Sequence, residues 1–254
     1  MKSRLFGPRQ RKIEPNSHAV PGGTRVYAIG DIHGSLVPLR LLRDAIREHA
    51  EAHPVERKCL IYLGDYIDRG FDSRAVIDIL VNDRLPGFEH VFLKGNHEDG
   101  MLRFLADGSN ALFWVAYGGI ATMFSYGVKP PDPATDGDEV IRARKELAKK
   151  LPPEHLDFLA KLEPYHVEGD YLFVHAGIRP GVPLDSQREE DLLWIREEFL
   201  RSQQEFGKCV VHGHSISRQP DFQSNRIGID TGAFASGTLT CLVLEGTKQE
   251  LLAT

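Results

Sequence analysis

Three times in the first hundred residues an apolar run stops at a glycine that is followed at once by a carboxylate or a carboxamide. Residues 25–29 run into Gly30-Asp31-Ile32-His33-Gly34. Residues 59–63 run into Gly64-Asp65-Tyr66-Ile67-Asp68-Arg69-Gly70, and residues 91–93 lead through Lys94 into Gly95-Asn96-His97-Glu98. Each run is followed by an amphipathic pattern. The first is the clearest, with Leu36, Leu39, Leu42, Ala45, Ile46 and Ala50 on a helical period and Ser35 as a candidate N-cap. The others are residues 73–81 and 98–105. Strand, loop and helix repeated three times is the alternation of an α/β core.

Taken singly, each loop has an ordinary explanation. A loop Asp or His is commonly solvated or capping, Asp68–Arg69 could be a weak surface pair, and Asn96 could be a turn residue. Taken jointly they place oxygen and imidazole donors at three successive strand exits, where ligands collect in α/β sheets. The i, i+2 spacing of Asp31 and His33 lets both converge on one ion, with Gly34 freeing the turn. Two later runs end the same way, in Phe173-Val174-His175-Ala176-Gly177 and Val211-His212-Gly213-His214-Ser215. Carboxylate, imidazole and amide oxygen together suit Mn²⁺, Fe or Zn²⁺ better than Ca²⁺.

The remaining chain divides by character. Residues 111–126, rich in aromatics and small side chains, read as mostly buried, and 129–138 as a loop. Helices are expected at 139–150, 153–162 and 191–203. The C-terminal half is strand-dominated: a hairpin at 165–168 and 171–174 about Gly169-Asp170, then strands near 209–211, 226–229, 239–244 and 249–252. No linker demands a second domain, so residues 21–254 are expected to form one domain behind a flexible basic arm, residues 1–20, that carries Lys2, Arg4, Arg9, Arg11 and Lys12. A net charge of −5 argues against binding a nucleic-acid duplex. No apolar run approaches the ~18 residues of a membrane span, and no signal-peptide core follows the basic arm. Cys59, Cys209 and Cys241 sit in apolar runs with no CxxC spacing, as buried free thiols of the cytoplasm would.

Gly-Asp-Ile-His-Gly, Gly-Asp-Tyr-Ile-Asp-Arg-Gly and Gly-Asn-His-Glu resemble the three motifs of the phosphoprotein phosphatase family within the calcineurin-like metallophosphoesterases, and most of all its compact bacterial and phage branch. The resemblance extends through Val-His-Ala-Gly, Trp194-Ile195-Arg196, His-Gly-His-Ser and Ile229-Asp230-Thr231-Gly232-Ala233. It implies two packed mixed β-sheets flanked by helices and two divalent metals, Mn²⁺ ahead of Fe or Zn²⁺. Asp31 and His33 would hold the first metal, Asn96, His175 and His214 the second, and Asp65 would bridge them. His97 would be the general acid, oriented by Asp68. Arg69 and Arg196, with Asn96, would bind the phosphoryl oxygens, and a hydroxide between the metals would attack phosphorus directly. His212 departs from the family pattern, in which that position is apolar. As His212 and His214 would share a strand face, either could be the ligand, with the Gly-His order favouring His214.

The resemblance implies a serine/threonine or dual-specificity protein phosphatase acting on phosphoproteins or small phosphoesters. A symmetrical bis(5′-nucleosyl)-tetraphosphatase, which shares these motifs, is the alternative. Its leaving group needs no proton, so the presence of His97 and Asp68 favours the phosphomonoester reading. A non-catalytic scaffold, the remaining alternative, would be expected to have lost part of the site, and every part is present.

Overall fold

The computed structural model describes residues 18–108, 111–132 and 137–254. The anticipated basic arm therefore lies, but for its last three residues, outside the described residues. Those three pack against the body. The Ala19 N–H donates to Asp170 Oδ2 at 2.9 Å, and Val20 is buried with its N–H on Gly246 O.

The strands are β1 (Thr24–Ile29), β2 (Arg57–Tyr62), β3 (Glu89–Phe92), β4 (Tyr165–Glu168), β5 (Tyr171–Val174), β6 (Cys209–His212), β7 (Asp221–Phe222), β8 (Arg226–Gly228), β9 (Thr240–Glu245) and β10 (Lys248–Ala253). They form two mixed sheets, ordered β10-β9-β1-β2-β3 and β4-β5-β6-β8-β7. In each the parallel strands are bounded by antiparallel ones: β1, β2 and β3 by the β9–β10 hairpin, and β5, β6 and β8 by β4 and β7. The helices are α1 (Leu36–Ala52), α2 (Ser73–Asn82), α3 (Asn96–Ala106), α4 (Ala111–Trp114), α5 (Ile120–Ser125), α6 (Gly137–Lys150), α7 (Pro153–Ala160), α8 (Glu189–Trp194), α9 (Glu197–Leu200) and α10 (Ala233–Ser236).

Because side chains alternate along a strand, each central strand feeds two cores at once. Val26 and Ala28 of β1, with Cys59 and Ile61 of β2, meet Phe173, Val211 and Ile227 between the sheets. Tyr27, Ile29, Leu60 and Tyr62 point the other way, into the helical layer of α1, α2, α3 and α7. On the far side of the second sheet Val174 and Val210 pack on Leu192, Ile195 and Phe199. All three cysteines are buried free thiols.

Two expectations are corrected. Ser35 precedes α1 but makes no side-chain cap bond. One of the two N–H groups it could accept from belongs to Pro38 and does not exist. The helix expected over 191–203 is broken into α8 and α9 at extended Ile195 and non-helical Arg196. In a continuous helix residues 194 and 196 would point roughly 200° apart. The break lets Trp194 reach His214 while Arg196 reaches Ser215. Residues 111–126 are mostly buried, as expected, but not uniformly. Trp114, Val115, Thr122 and Met123 are buried, but Phe113 and Tyr117 before a kink at Gly118, and Phe124 after it, stand exposed.

Phe173 lies at the centre of the inter-sheet core with no exposed surface. Phe173→Ala is expected to cost about 3–5 kcal/mol of stability. Equilibrium denaturant unfolding should show this as a lowered midpoint at unchanged slope.

Candidate active site

The exits of β1, β2 and β3 and those of β5, β6 and β8 open on one buried cluster. Its centre is Asp65, 1% exposed. Asp65 Oδ2 lies 3.4 Å from His33 Nε2, 3.4 Å from His175 Nε2 and 3.9 Å from His97 Nε2. Its other oxygen accepts the His97 N–H at 3.1 Å. Two donor groups share this carboxylate, His33–Asp65–His97 and Asp65–His175–His214. Asn96 opens α3 and completes the second group, its Oδ1 lying 2.8 Å from His175 Nε2 and 2.9 Å from His214 Nδ1.

The local backbone is bent to achieve this. His33, Asp65, Asp68, Arg69 and His214 all have left-handed φ, between 47° and 72°. That conformation is costly for non-glycine residues and persists where surrounding bonds over-determine it. Here the chief restraint is Glu98, fully buried, whose carboxylate accepts the N–H groups of Asp65 (2.9 Å), Tyr66 (2.8 Å) and Gly95 (3.0 Å). A Cβ on Gly95 would collide with Asp65 Oδ1 and its backbone nitrogen, which is why a glycine must stand there.

The donor set fits a pair of divalent metals. His33 Nδ1 and His175 Nδ1 are each bonded to a backbone carbonyl, Ile67 O at 2.9 Å and Leu63 O at 2.8 Å. This sets the tautomer so that each Nε2 lone pair faces Asp65, the usual way a protein orients a ligating imidazole. His33 Nε2 and Asp31 Oδ1 are buried without a hydrogen-bond partner, which is expensive unless a cation takes them. Burial lowers His33 to about 3 and His214 to about 2, so both imidazoles are neutral donors. Burial alone would raise Asp65, but His175, His97 and His33 around it hold its carboxyl below the usual carboxylate range.

Asp31 stands at the margin of the cluster. Its Oδ2 accepts the His214 N–H at 3.0 Å. Burial, then the carboxylates of Asp230 and Asp65, push it well above its ordinary value. Asp230 is itself raised to about 6, chiefly by burial. The sequence reading gave Asp230 no role, although it too follows an apolar run at a strand exit, the same signal that singled out Asp31 and Asp65.

Asp68 belongs to neither donor group but holds His97, with Oδ2 at 2.7 Å from His97 Nδ1. It is fully buried and also accepts from Trp114 Nε1 at 2.8 Å and Thr122 Oγ1 at 2.5 Å. Those two residues were missed from the sequence, since neither lies in a motif. With Nδ1–H given to Asp68, His97 turns Nε2 toward Asp65 and Arg69, whose Nη2 is 3.3 Å away. Burial would lower His97, but Asp65 and Asp68 outweigh it and raise its pKa. Arg69 is half-buried and lies over the Phe234 ring at 4.9 Å. Arg196 is exposed, and its charge reaches His175 and His214.

His212 and His214 do not share a face. Strand β6 ends at His212, and the left-handed turn at His214 swings that ring into the donor cluster. The His212 ring packs on Phe199 at 5.1 Å, its Nδ1 against Gly213 O, and burial lowers it to about 4.

Residues 24–233 match the calcineurin-like phosphoesterase family. The chain belongs to that family and is a metal-dependent phosphoesterase, of a class that works with a divalent metal pair. It is 26% identical over 235 residues to the asymmetrical bis(5′-nucleosyl)-tetraphosphatase PrpE of Bacillus thuringiensis (strain Al Hakam), covering 84% of this chain and 88% of that protein. It is 27% identical over 233 residues to the protein of the same name from Anoxybacillus flavithermus (strain DSM 21510 / WK1), with the same coverage. Among solved structures, one described as a putative diadenosine tetraphosphatase superposes with a TM-score of 0.60 at 22% identity over 94% of this chain and 95% of that one. A cold-active protein tyrosine phosphatase gives 0.57 at 17% identity, over 92% of this chain and 81% of that one. At these identities the two structures speak for the fold. The broad family expectation holds, while these sequence relatives bear tetraphosphatase names and not protein phosphatase names. Among the described residues no helix is long and apolar enough to cross a membrane.

Two substitutions separate the roles. His214→Ala should reduce divalent-metal binding in calorimetry by at least one equivalent, whereas His212→Ala should leave stoichiometry intact and cost only stability. Gly95→Ala should abolish tight metal binding by displacing Asp65; unchanged binding would show that the close approach at residue 95 does not matter.

Proposed function

We propose that this protein hydrolyses dinucleoside tetraphosphates, cleaving them asymmetrically to a nucleoside triphosphate and a nucleoside monophosphate. The observation that carries this reading is the near full-length similarity to tetraphosphatases, 84% of this chain against 88% of theirs, around a site whose parts are all present. It replaces the expectation of a protein phosphatase as the first reading, and of symmetrical cleavage for the alternative.

In this reading Asp31, His33 and Asp65 hold one metal, and Asp65, Asn96, His175 and His214 the other. When bound, such a pair lowers the pKa of water and neutralises charge on the phosphoryl oxygens. Mn²⁺ is the first candidate, with Fe or Zn²⁺ next, because the ligands mix oxygen and imidazole. Arg69 and Arg196 present guanidinium forks to the phosphoryl group, where two parallel N–H bonds fit two oxygens, and Asn96 borders the same position. His97 holds a proton at Nε2, with Nδ1 tied to Asp68 so that the ring cannot turn away. A nucleotide leaves as a stable anion and draws little on that proton. The buried free thiols accord with a reducing, cytoplasmic setting.

A second reading, a phosphomonoesterase acting on phosphoproteins, is favoured by the 2.7 Å His97–Asp68 pair, which suits an alkoxide leaving group. The two are separated by rate. With Mn²⁺, diadenosine tetraphosphate should give ATP and AMP with kcat/KM above that for a phosphoserine peptide, and chelation should abolish both. Two equivalents of ADP would refute the asymmetry, and a faster phosphopeptide would refute the substrate. His97→Asn should lose ~10²–10⁴-fold on alkyl phosphates, the usual worth of a general acid, and far less on the dinucleotide. Equal losses would mean that His97 is not the acid.

A further inference from the structure

Beside the donor cluster stands a run of aromatic rings that the chemistry described so far does not use. Trp194 meets His214 edge-on at 6.0 Å between centroids, and Phe113 meets Trp194 at 5.5 Å. Phe113 and Tyr117 are stacked at 4.1 Å with 28° between their planes. They are 43% and 51% exposed, an unusual fate for two large rings placed side by side. Their i, i+4 spacing puts both on one face, while Trp114 between them points inward to Asp68.

The platform is fastened to the phosphate-binding loop. Gly118, next to Tyr117, has φ 126° and its carbonyl accepts the Arg69 N–H at 3.3 Å. A Cβ there would crowd Arg69 and Asp68, so the turn is seated directly against them. Phe113 and Trp194 also wall a cavity of about 410 Å³ that Asp99, Arg103 and Glu190 border with hydrogen-bonding groups. That volume falls within the ~300–1,000 Å³ of small-molecule sites.

We propose that Phe113 and Tyr117, backed by Trp194, form a stacking platform for one nucleobase of a substrate whose phosphate lies between Arg69 and the donor cluster. This rests on the preceding reading of a nucleotide substrate and specifies where one nucleoside sits. Flat π faces bind any base, and the cavity's mixed acid and guanidinium edges suit the polar rim of a purine.

The test is competitive inhibition of p-nitrophenyl phosphate hydrolysis by AMP and by ribose 5-phosphate, which carry the same phosphate with and without a base. The ratio of the two inhibition constants is internal to each variant, so changes in turnover cancel. In the wild type AMP should bind about 5- to 150-fold tighter, the range for one base on an aromatic ring. Phe113→Leu/Tyr117→Leu keeps apolar bulk but removes the π faces, and should bring the ratio close to 1. Phe113→Tyr should preserve it. A wild-type ratio near 1, or a ratio undiminished in the double variant, overturns the proposal. So does phosphotyrosine outcompeting phosphoserine while AMP gains nothing, since the platform would then serve peptide aromatics. If the AMP advantage depends on both rings yet diadenosine tetraphosphate is not cleaved, the platform stands and the tetraphosphatase reading falls.

Discussion

The structure depends on burying one carboxylate, Asp65, among imidazoles at the point where two sheets open. An ionised group at 1% exposure is untenable without compensation, and the compensation comes from every direction. His33 and His175 face it with tautomers set by the carbonyls of Ile67 and Leu63, and His97 contributes a backbone N–H. Those donors come from β1, β3 and β5 exits, so the sheets must be packed in register before the carboxylate is satisfied. The inter-sheet core of Val26, Cys59, Phe173 and Val211 is what holds that register.

Glu98 and Asp68 extend this arrangement outward in different directions. Glu98 binds backbone N–H groups at the exits of both β2 and β3 and stabilises a turn that Asp65 would otherwise resist. Burial, then the nearby Asp65, raises its pKa to about 8, so its hold on those N–H groups is bought against electrostatic cost. Asp68 reaches into the helical layer and takes Trp114 and Thr122 as partners. Through it, the orientation of His97 is tied to the segment that also exposes Phe113 and Tyr117. His97, Arg69 and the Phe113–Tyr117 pair are therefore held by one set of contacts.

The strand-loop-helix order and the candidate donors were legible because they are short-range patterns. An apolar run that ends beside a glycine with an oxygen or imidazole donor at its exit is read within five residues, and Asp31, Asp65, Asn96, His175 and His214 all carry that mark. The hairpin about Gly169-Asp170 was equally plain, for the same local reason. Asp230, at the exit of another apolar run, was given no role from the sequence. Trp114 and Thr122 could not be found this way, since each is 46 or more residues from Asp68 along the chain and nothing local announces the bond.

The sequence by itself determined which residue types stand at the strand exits, and hence that oxygen and imidazole donors would gather where two mixed sheets end. Only tertiary structure decided how they divide. It turned His214 in and His212 out, because β6 stops at His212 and a left-handed residue reverses the alternation a strand would impose. It set Asp31 against Asp230 at the cluster's margin, and it broke a helix at Ile195 and Arg196 so that Trp194 and Arg196 border the same opening. Periodicity describes side chains only while the backbone stays regular, and at this site it leaves regularity at His33, Asp65, Asp68, Arg69 and His214.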